Sequence, residues 1–346
     1  MKLAIVLFNL GGPDHVDAIE PFLFNLFNDK AIIGAPQPIR WMLARYISMR
    51  RAPIAAEIYG HLGGKSPLFE QTLDQSEALK KSLSENLGSS VEVETFISMR
   101  YWHPMSDECA HYVKEFNPDH IVLLPLYPQF STTTTGSSFE DWHRAAKKAK
   151  VKAKTTSVCC YPVNNGFVDA IVDKLWPQIE QTCYIDKPRV LFSAHGLPKK
   201  IVDGGDPYQW QVEQTALAVV NKLNLPALDW WVSYQSRVGP LEWIGPNTED
   251  EIMRAGKEKV PLIIVPIAFV SEHSETLVEL DIEYRELAEK SGVPSYMRTP
   301  TVTTHPSFIS GLRDLVLSHI SNDLGVKPEG NIRLCPAKHS RCICEG

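Results

Sequence analysis

The chain is predicted to be an α/β protein made of two copies of a four-stranded parallel unit, and two observations lead there. Apolar runs of strand length alternate with helix-length periodic segments, the pattern of parallel sheets flanked by helices. Four segments of the first half then return in the second, in the same order. Leu3 to Pro13 resembles Val190 to Pro198, and Glu94 to Pro104 resembles Asp229 to Pro240. His120 to Pro128 resembles Pro261 to Phe269, and Lys154 to Pro162 resembles Arg298 to Pro306. One such match is common among apolar strands; four in register point to duplication.

Each element follows from its residues. Leu3 to Leu10 is a mostly apolar run stopped by Gly11-Gly12-Pro13, which makes it the first strand. The other matched segments read as strands for the same reason, and Gly166 to Ile179 as a helix. The halves are expected at residues 1–180 and 186–330, divided near Asp186-Lys187-Pro188, with a cysteine-containing tail at 331–346. Within the first half, residues 30–56 form an apolar stretch free of Asp and Glu that carries Lys30, Arg40, Arg45, Arg50 and Arg51. That composition suits the headgroup boundary of an anionic membrane; the plainer reading is a core helix with arginines reaching to solvent.

Composition narrows the function. The 346 residues are 44% hydrophobic and carry 35 basic against 41 acidic side chains, a net charge of −6. A core is affordable, and a global nucleic-acid footprint is absent. The longest apolar run, Val260 to Val270, has eleven residues, whereas a membrane-spanning helix needs about 20. The N-terminus reads as a strand and not as a leader, so a cytoplasmic protein is expected. Seven cysteines, three of them in the last twelve residues, do not suit a secreted disulfide framework.

In open parallel sheets ligands bind beyond the carboxyl ends of the strands. His195 lies at such an end, before Gly196-Leu197-Pro198, and a histidine there suits proton transfer near neutral pH. A second cluster, Ser271 to Glu283, directly follows a strand and opens a helix. Glu275, Glu279 and Glu283, beside His273, are spaced by four, which on an α-helix lines them on one face about 5–6 Å apart at Cβ. A solvated acidic face is the bland alternative. No P-loop or GxGxxG accompanies any strand. In the tail, Cys335, Cys342 and Cys344 are spaced C-x6-C-x-C, which suggests a zinc or iron–sulfur site completed from elsewhere. Strand alternation lets only one of Cys159 and Cys160 face it; His339 keeps zinc open as the alternative. Cys109 and Cys183 fall in helix-like segments and are expected to be packed thiols.

Taken together, the motifs resemble the ferrochelatase family. They are Asn9 to Pro13, Gly63 to Pro67, Arg100 to Pro104, Tyr127 to Ser131 with Thr134 to Ser138, and Leu191 to Pro198 with Gly205 to Tyr208. Gln235 to Pro240, Trp243 to Pro246 and Ser271 to Tyr284 complete the set, in family order and across nearly the whole chain. The resemblance implies two Rossmann-like domains of the class II chelatase kind with a porphyrin cleft between them. It implies insertion of Fe(II) into protoporphyrin IX, the last step of heme synthesis. It places the active-site histidine at His195, its partner carboxylate at Glu275, and a proton or metal path at His273, Glu279 and Glu283. It places macrocycle contacts at Leu10, Arg100, Tyr101 and Trp243, and propionate contacts at Arg51, Tyr59 and Ser66. The acid-free segment becomes a membrane-facing lip, implying peripheral attachment to the inner face of a membrane; a homodimer is compatible with it. The tail spacing is similar to bacterial members with a [2Fe–2S] cluster held by Cys335, Cys342, Cys344 and one of Cys159 or Cys160. Leu10 stands where animal members have Met, and Thr132 where they have a cluster cysteine. A cobalt or nickel chelatase for a more polar tetrapyrrole, or a non-catalytic porphyrin carrier, remain the alternatives.

Overall fold

The computed structural model describes residues 1–237, 241–321 and 325–344. Val238 to Pro240, part of one family motif, lie outside the described residues. The elements run β1 (Lys2–Asn9), α1 (Ile19–Phe27), α2 (Gln37–Gly60), α3 (Leu68–Leu87), β2 (Glu92–Met99), α4 (Ser106–Phe116), β3 (His120–Pro125), α5 (Ser137–Ala149), β4 (Lys154–Val158) and α6 (Asn165–Cys183). They continue with β5 (Arg189–His195), α7 (Lys199–Asp203), α8 (Tyr208–Leu223), β6 (Asp229–Gln235), α9 (Thr248–Glu258), β7 (Leu262–Pro266), α10 (Tyr284–Ser291), β8 (Tyr296–Arg298), α11 (Pro306–Ile320) and β9 (Gly325–Lys327).

Two all-parallel sheets form, ordered β2-β1-β3-β4-β9 and β6-β5-β7-β8. The first four strands of each sheet follow the same order, as the duplication predicts. Central strands are buried on both faces: Leu3 to Asn9 and Arg189 to Ala194 are buried throughout. This is why they read as continuous apolar runs without alternation. β9 is an addition the sequence reading did not contain. Its three residues pair with Thr156 to Val158 and cover what would be the open edge of β4.

The chain divides into two compact units. Unit 1 holds Met1–Cys160, Arg313–Arg333 and Ile343–Gly346; unit 2 holds Tyr161–Leu312 and Leu334–Cys342. The expected division at residues 180–186 therefore differs from the observed one by a whole helix, α6, and the block at 186–330 is interrupted at Arg313. Glycine contacts explain α6. A Cβ on Gly166 would lie 2.2 Å from the Ser307 carbonyl oxygen, and one on Gly311 2.3 Å from Asn164 Oδ1. The two glycines let α6 press against the start of α11. Gln178 then bonds the carbonyl of Arg298 and the hydroxyl of Thr299 at the end of β8. Periodicity marks a helix but not the sheet it covers.

Candidate active site

β5 delivers His195 and β6 delivers Gln235 and Ser236, all in unit 2. After β7 the chain reaches Ser271 and winds into a π-helix at Glu275–Glu283, continuous with α10. The acidic face expected on an α-helix is thus rebuilt with wider winding. Glu275 and Glu279 both turn toward Ser236, while Glu283 is exposed.

His195 Nδ1 lies 2.9 Å from Glu275 Oε2, with the two side chains 38% and 26% exposed, so the pair is shielded yet reachable. His273, buried, has Nε2 3.9 Å from the same oxygen and Nδ1 3.2 Å from the Ser271 carbonyl. Its ring lies 4.6 Å from that of Phe269. Glu279 collects four donors. These are Gln235 Nε2 at 3.1 Å, Ser236 N at 2.9 Å, Ser236 Oγ at 2.5 Å and Tyr284 OH at 3.0 Å. Ser236 adopts φ +60°, uncommon for a residue with a side chain; its backbone N–H and hydroxyl both reach Glu279. Ser193 Oγ donates to Gln235 Oε1 at 2.7 Å, which turns the amide nitrogen toward the glutamates.

The electrostatics separate the two carboxyls. Burial alone would raise Glu275, but the charge and hydrogen bond of His195, helped by His273, hold it well below the usual range. Burial would lower His195, but the charge and hydrogen bond of Glu275 lift it above 6.5. Burial and then the neighbouring Glu275 charge raise Glu279 above its ordinary value. One carboxylate is thereby kept charged, and the next is poised to hold a proton. Such a pair of environments suits proton or cation handling.

Trp243 follows on the same unit. A Cβ on Gly196 would meet Trp243 Cε3 at 3.3 Å and the Gln235 carbonyl oxygen at 3.0 Å. Glycine after His195 is what lets the indole come this close.

The remaining expected contacts lie in unit 1. Leu10, Tyr59 and Tyr101 belong to one apolar cluster with Ile19, Phe22 and Leu23. Arg100 is committed to neighbours: Nη2 lies 2.8 Å from Asp29 Oδ2 and Nε 2.7 Å from Ser137 Oγ, and the guanidinium sits 5.0 Å from the Tyr101 ring centroid. Tyr101 OH donates to the same Asp29 oxygen at 2.8 Å. Burial and the Asp29 charge push the phenol far up, so it stays a donor. Ser66 is buried and sits directly against Gly12, where a Cβ would come within 2.6 Å of its hydroxyl. Arg51 is half-buried on α2. Sequence reasoning missed Asp29, Ser236 and Tyr284 as participants. Asp29 is the last acid before the acid-free stretch, a position that could have drawn attention to it.

The cysteines also sort themselves. Within unit 1, Cys159 and Cys344 bring their sulfurs within 4.8 Å of each other. Cys342 is the last residue of unit 2, two positions before Cys344 in sequence. Cys160, adjacent to Cys159, is not in this group. Cys335 also lies outside it, buried and accepting a hydrogen bond from Gln211 Nε2 at 3.0 Å. Cys109 is a core thiol whose pKa burial drives up. Cys183, expected to be packed, is exposed: it is the last residue of α6 and faces solvent, while its neighbour Thr182 faces inward.

A family model described as ferrochelatase matches residues 2–320. The curated ferrochelatase of Pelagibacter ubique is 46% identical over 344 residues, covering 99% of both chains. That of Caulobacter vibrioides is 51% identical over 343 residues, covering 99% of this chain and 97% of the relative. Among solved structures, the sirohydrochlorin chelatase SirB of Bacillus subtilis subspecies spizizenii, in complex with cobalt, is similar in fold. It has a TM-score of 0.52 and 13% identity, and the match covers 93% of this chain and 97% of that one. Near-full-length identity of this size leaves no doubt about descent: the chain belongs to the ferrochelatase family.

Proposed function

We propose that His195 and Glu275 are the proton-handling pair of an enzyme that inserts Fe(II) into protoporphyrin IX to give protoheme. Family membership carries the coarse activity, iron insertion into protoporphyrin in heme synthesis. The residue-level reading rests on one observation: a histidine at the end of β5 gathered with two glutamates of the π-helix, whose carboxyls are shifted in opposite directions.

Metallation must remove two pyrrole protons and strip water from the metal. A planar free porphyrin points its N–H groups inward. A site that binds the bent ring better than the flat one lowers the barrier by differential binding. His195 accepts a pyrrole proton once its own proton has gone to solvent, and the charged Glu275 beside it stabilises the imidazolium that forms. Glu279, raised by burial and by the neighbouring Glu275 charge, passes protons on or meets the incoming cation. Anaerobic metal insertion by the wild type, lost in His195→Ala with the fold retained, tests the reading; insertion at the wild-type rate in that variant would sink it.

Two further assignments belong to the same reading. Ile39, Trp41, Met42, Tyr46, Met49 and Ile54 leave an apolar face of α2 exposed beside Arg50. That face supports peripheral attachment to the cytoplasmic leaflet, and it favours an apolar tetrapyrrole over a polar one. No described helix is long and apolar enough to cross a membrane. The tail cysteines would hold a [2Fe–2S] cluster with Cys159 as the internal ligand and Cys335 as the fourth. The neighbouring buried thiols of Cys159 and Cys344 are a donor set that fits such a group. The cluster would supply structure or sensing, since metal insertion is not a redox reaction. The purified protein is expected to be reddish, bleached by Cys159→Ser and not by Cys160→Ser. A colourless protein with one zinc per chain would overturn the cluster and leave the chelatase reading standing.

A further inference from the structure

A nine-residue π-helix needs an explanation. Its i→i+5 hydrogen bonds are poorer than those of an α-helix, and most π segments in proteins are single-turn bulges. Glu275–Glu283 is longer than that, and in unit 2 it is gripped from outside. Arg298, the last residue of β8, has a side chain only 8% exposed. Its Nη1 donates to Glu272 Oε1 at 2.7 Å, three residues before the π segment. Its Nε donates to Asp281 Oδ1 at 3.0 Å and its Nη2 to Asp281 Oδ2, inside the segment. One planar guanidinium thus spans the run from 272 to 281. Tyr296, at the other end of the same three-residue strand, donates its hydroxyl to the Leu280 carbonyl at 2.6 Å. Arg285 Nε bonds the Asp281 carbonyl at 3.1 Å, and its Nη1 the Tyr296 carbonyl at 3.1 Å.

These contacts sit on the far side of the segment's chemistry. Glu275 and Glu279 turn to His195, Gln235 and Ser236, whereas Asp281 and the carbonyls of Leu280 and Asp281 turn to β8 and Arg285. We propose that Arg298 is a positioning residue for metal insertion: by clamping Glu272 and Asp281 it fixes the π winding that sets Glu279 relative to Glu275. This rests on the reading of His195, Glu275 and Glu279 given above. Without the clamp the segment relaxes toward the better-bonded α register. Glu275, anchored on His195, stays in place, and Glu279 moves. Delivery of the cation suffers; binding of the macrocycle does not. Lysine cannot replace the clamp, because an ammonium lacks the planar fork that engages both carboxylates at once.

The experiment compares wild type, Arg298→Lys, Asp281→Asn and Glu272→Gln as full-length proteins, each checked for a native circular-dichroism spectrum. Three readouts are taken: steady-state insertion with Zn(II) or Fe(II), protoporphyrin affinity by tryptophan quenching, and hydrogen exchange of the amides at 275–283. Arg298→Lys and Asp281→Asn are expected to lose about 10- to 100-fold in kcat/KM for the metal, the usual cost of losing an orienting partner. Porphyrin affinity should stay within twofold, and exchange at 275–283 should speed up. Glu272→Gln, which leaves the Asp281 grip intact, is expected to be milder. Wild-type metal kinetics in folded Arg298→Lys and Asp281→Asn would overturn the proposal. So would a parallel loss of porphyrin affinity, which marks general loosening. If the wild type itself inserts no metal, the functional reading fails first, and the exchange data still report whether Arg298 holds the winding.

Discussion

The two halves place a π segment at the same topological point and fill it differently. In unit 1, β3 leads to a π turn at Thr132–Gly136 that opens α5; in unit 2, β7 leads to the longer π-helix at Glu275–Glu283 that opens α10. The first carries four threonines, the second carboxylates. Around the first, charge is neutralised on the spot: Arg100, Tyr101 and Ser137 all converge on Asp29, which is 6% exposed. Around the second, charge is left in tension between His195, Glu275 and Glu279. Duplication supplies the frame, and divergence beyond the strands separates a half whose charges are paired off from a half that leaves a histidine and two carboxylates coupled.

The sharpest way to break this contrast is in unit 2. His195→Ala is expected to lower the insertion rate about 10²- to 10⁴-fold, the range for a general acid–base residue. Glu275→Gln should fall nearly as far and Glu279→Gln less. A stopped-flow or fluorimetric assay gives the order directly, and equal effects at all three positions would erase the distinction between Glu275 and Glu279.

In unit 1 the expected loss is of another kind. Asp29→Asn removes the nearer carboxylate partner of the partly buried Arg100 and leaves Asp141 at 3.8 Å, so the cost should fall below the about 3–5 kcal/mol of a fully buried break. Denaturant unfolding should register it. At fixed folded fraction, porphyrin affinity should weaken more than kcat; a fall in kcat alone would move Asp29 to the chemical side of the comparison.

Acidity gives a smaller effect with a defined sign. His195 is raised above 6.5 in the folded protein, so its share of stability is present below 6.5 and is lost as pH rises through the raised value. Glu275 is lowered below 4.5, so its share is present above 4.5 and lost as pH falls through the depressed value. The stability gap between wild type and Glu275→Gln should therefore be widest between about pH 4.5 and 6.5. A gap that kept growing above pH 8 would contradict the ion pair. The rate should rise with pH as His195 loses its proton, and in Glu275→Gln that rise should move to lower pH.

The smallest effect is expected on α2. Arg45 is already paired with Glu20, so it should contribute little to vesicle binding. Arg50 and Arg51 should contribute about 1 kcal/mol each near an anionic surface. Sedimentation with phosphatidylserine vesicles of Arg45→Gln against Arg50→Gln/Arg51→Gln separates them. Equal losses would mean that the Glu20 pair opens at the membrane.

What the sequence determined by itself was everything written in local pattern: the α/β class, the duplicated strands, the strand-end position of His195, and the run of motifs. A buried parallel strand announces itself as an apolar run, and a strand end is where that run stops. Tertiary structure decided what depends on distant partners. The π winding at 275–283 is invisible to four-residue spacing, because the contacts of Arg298 and Tyr296 lie 15 or more residues away. β9 is too short to read without the β4 edge it covers, and α6 sides with unit 2 because two glycines 145 positions apart let helices touch. Cys159 and not Cys160 meets Cys344, a choice that alternation narrows to one of two and only the path of the tail resolves. Local pattern records what each segment buries. Which segment it is buried against is set by packing across the whole chain.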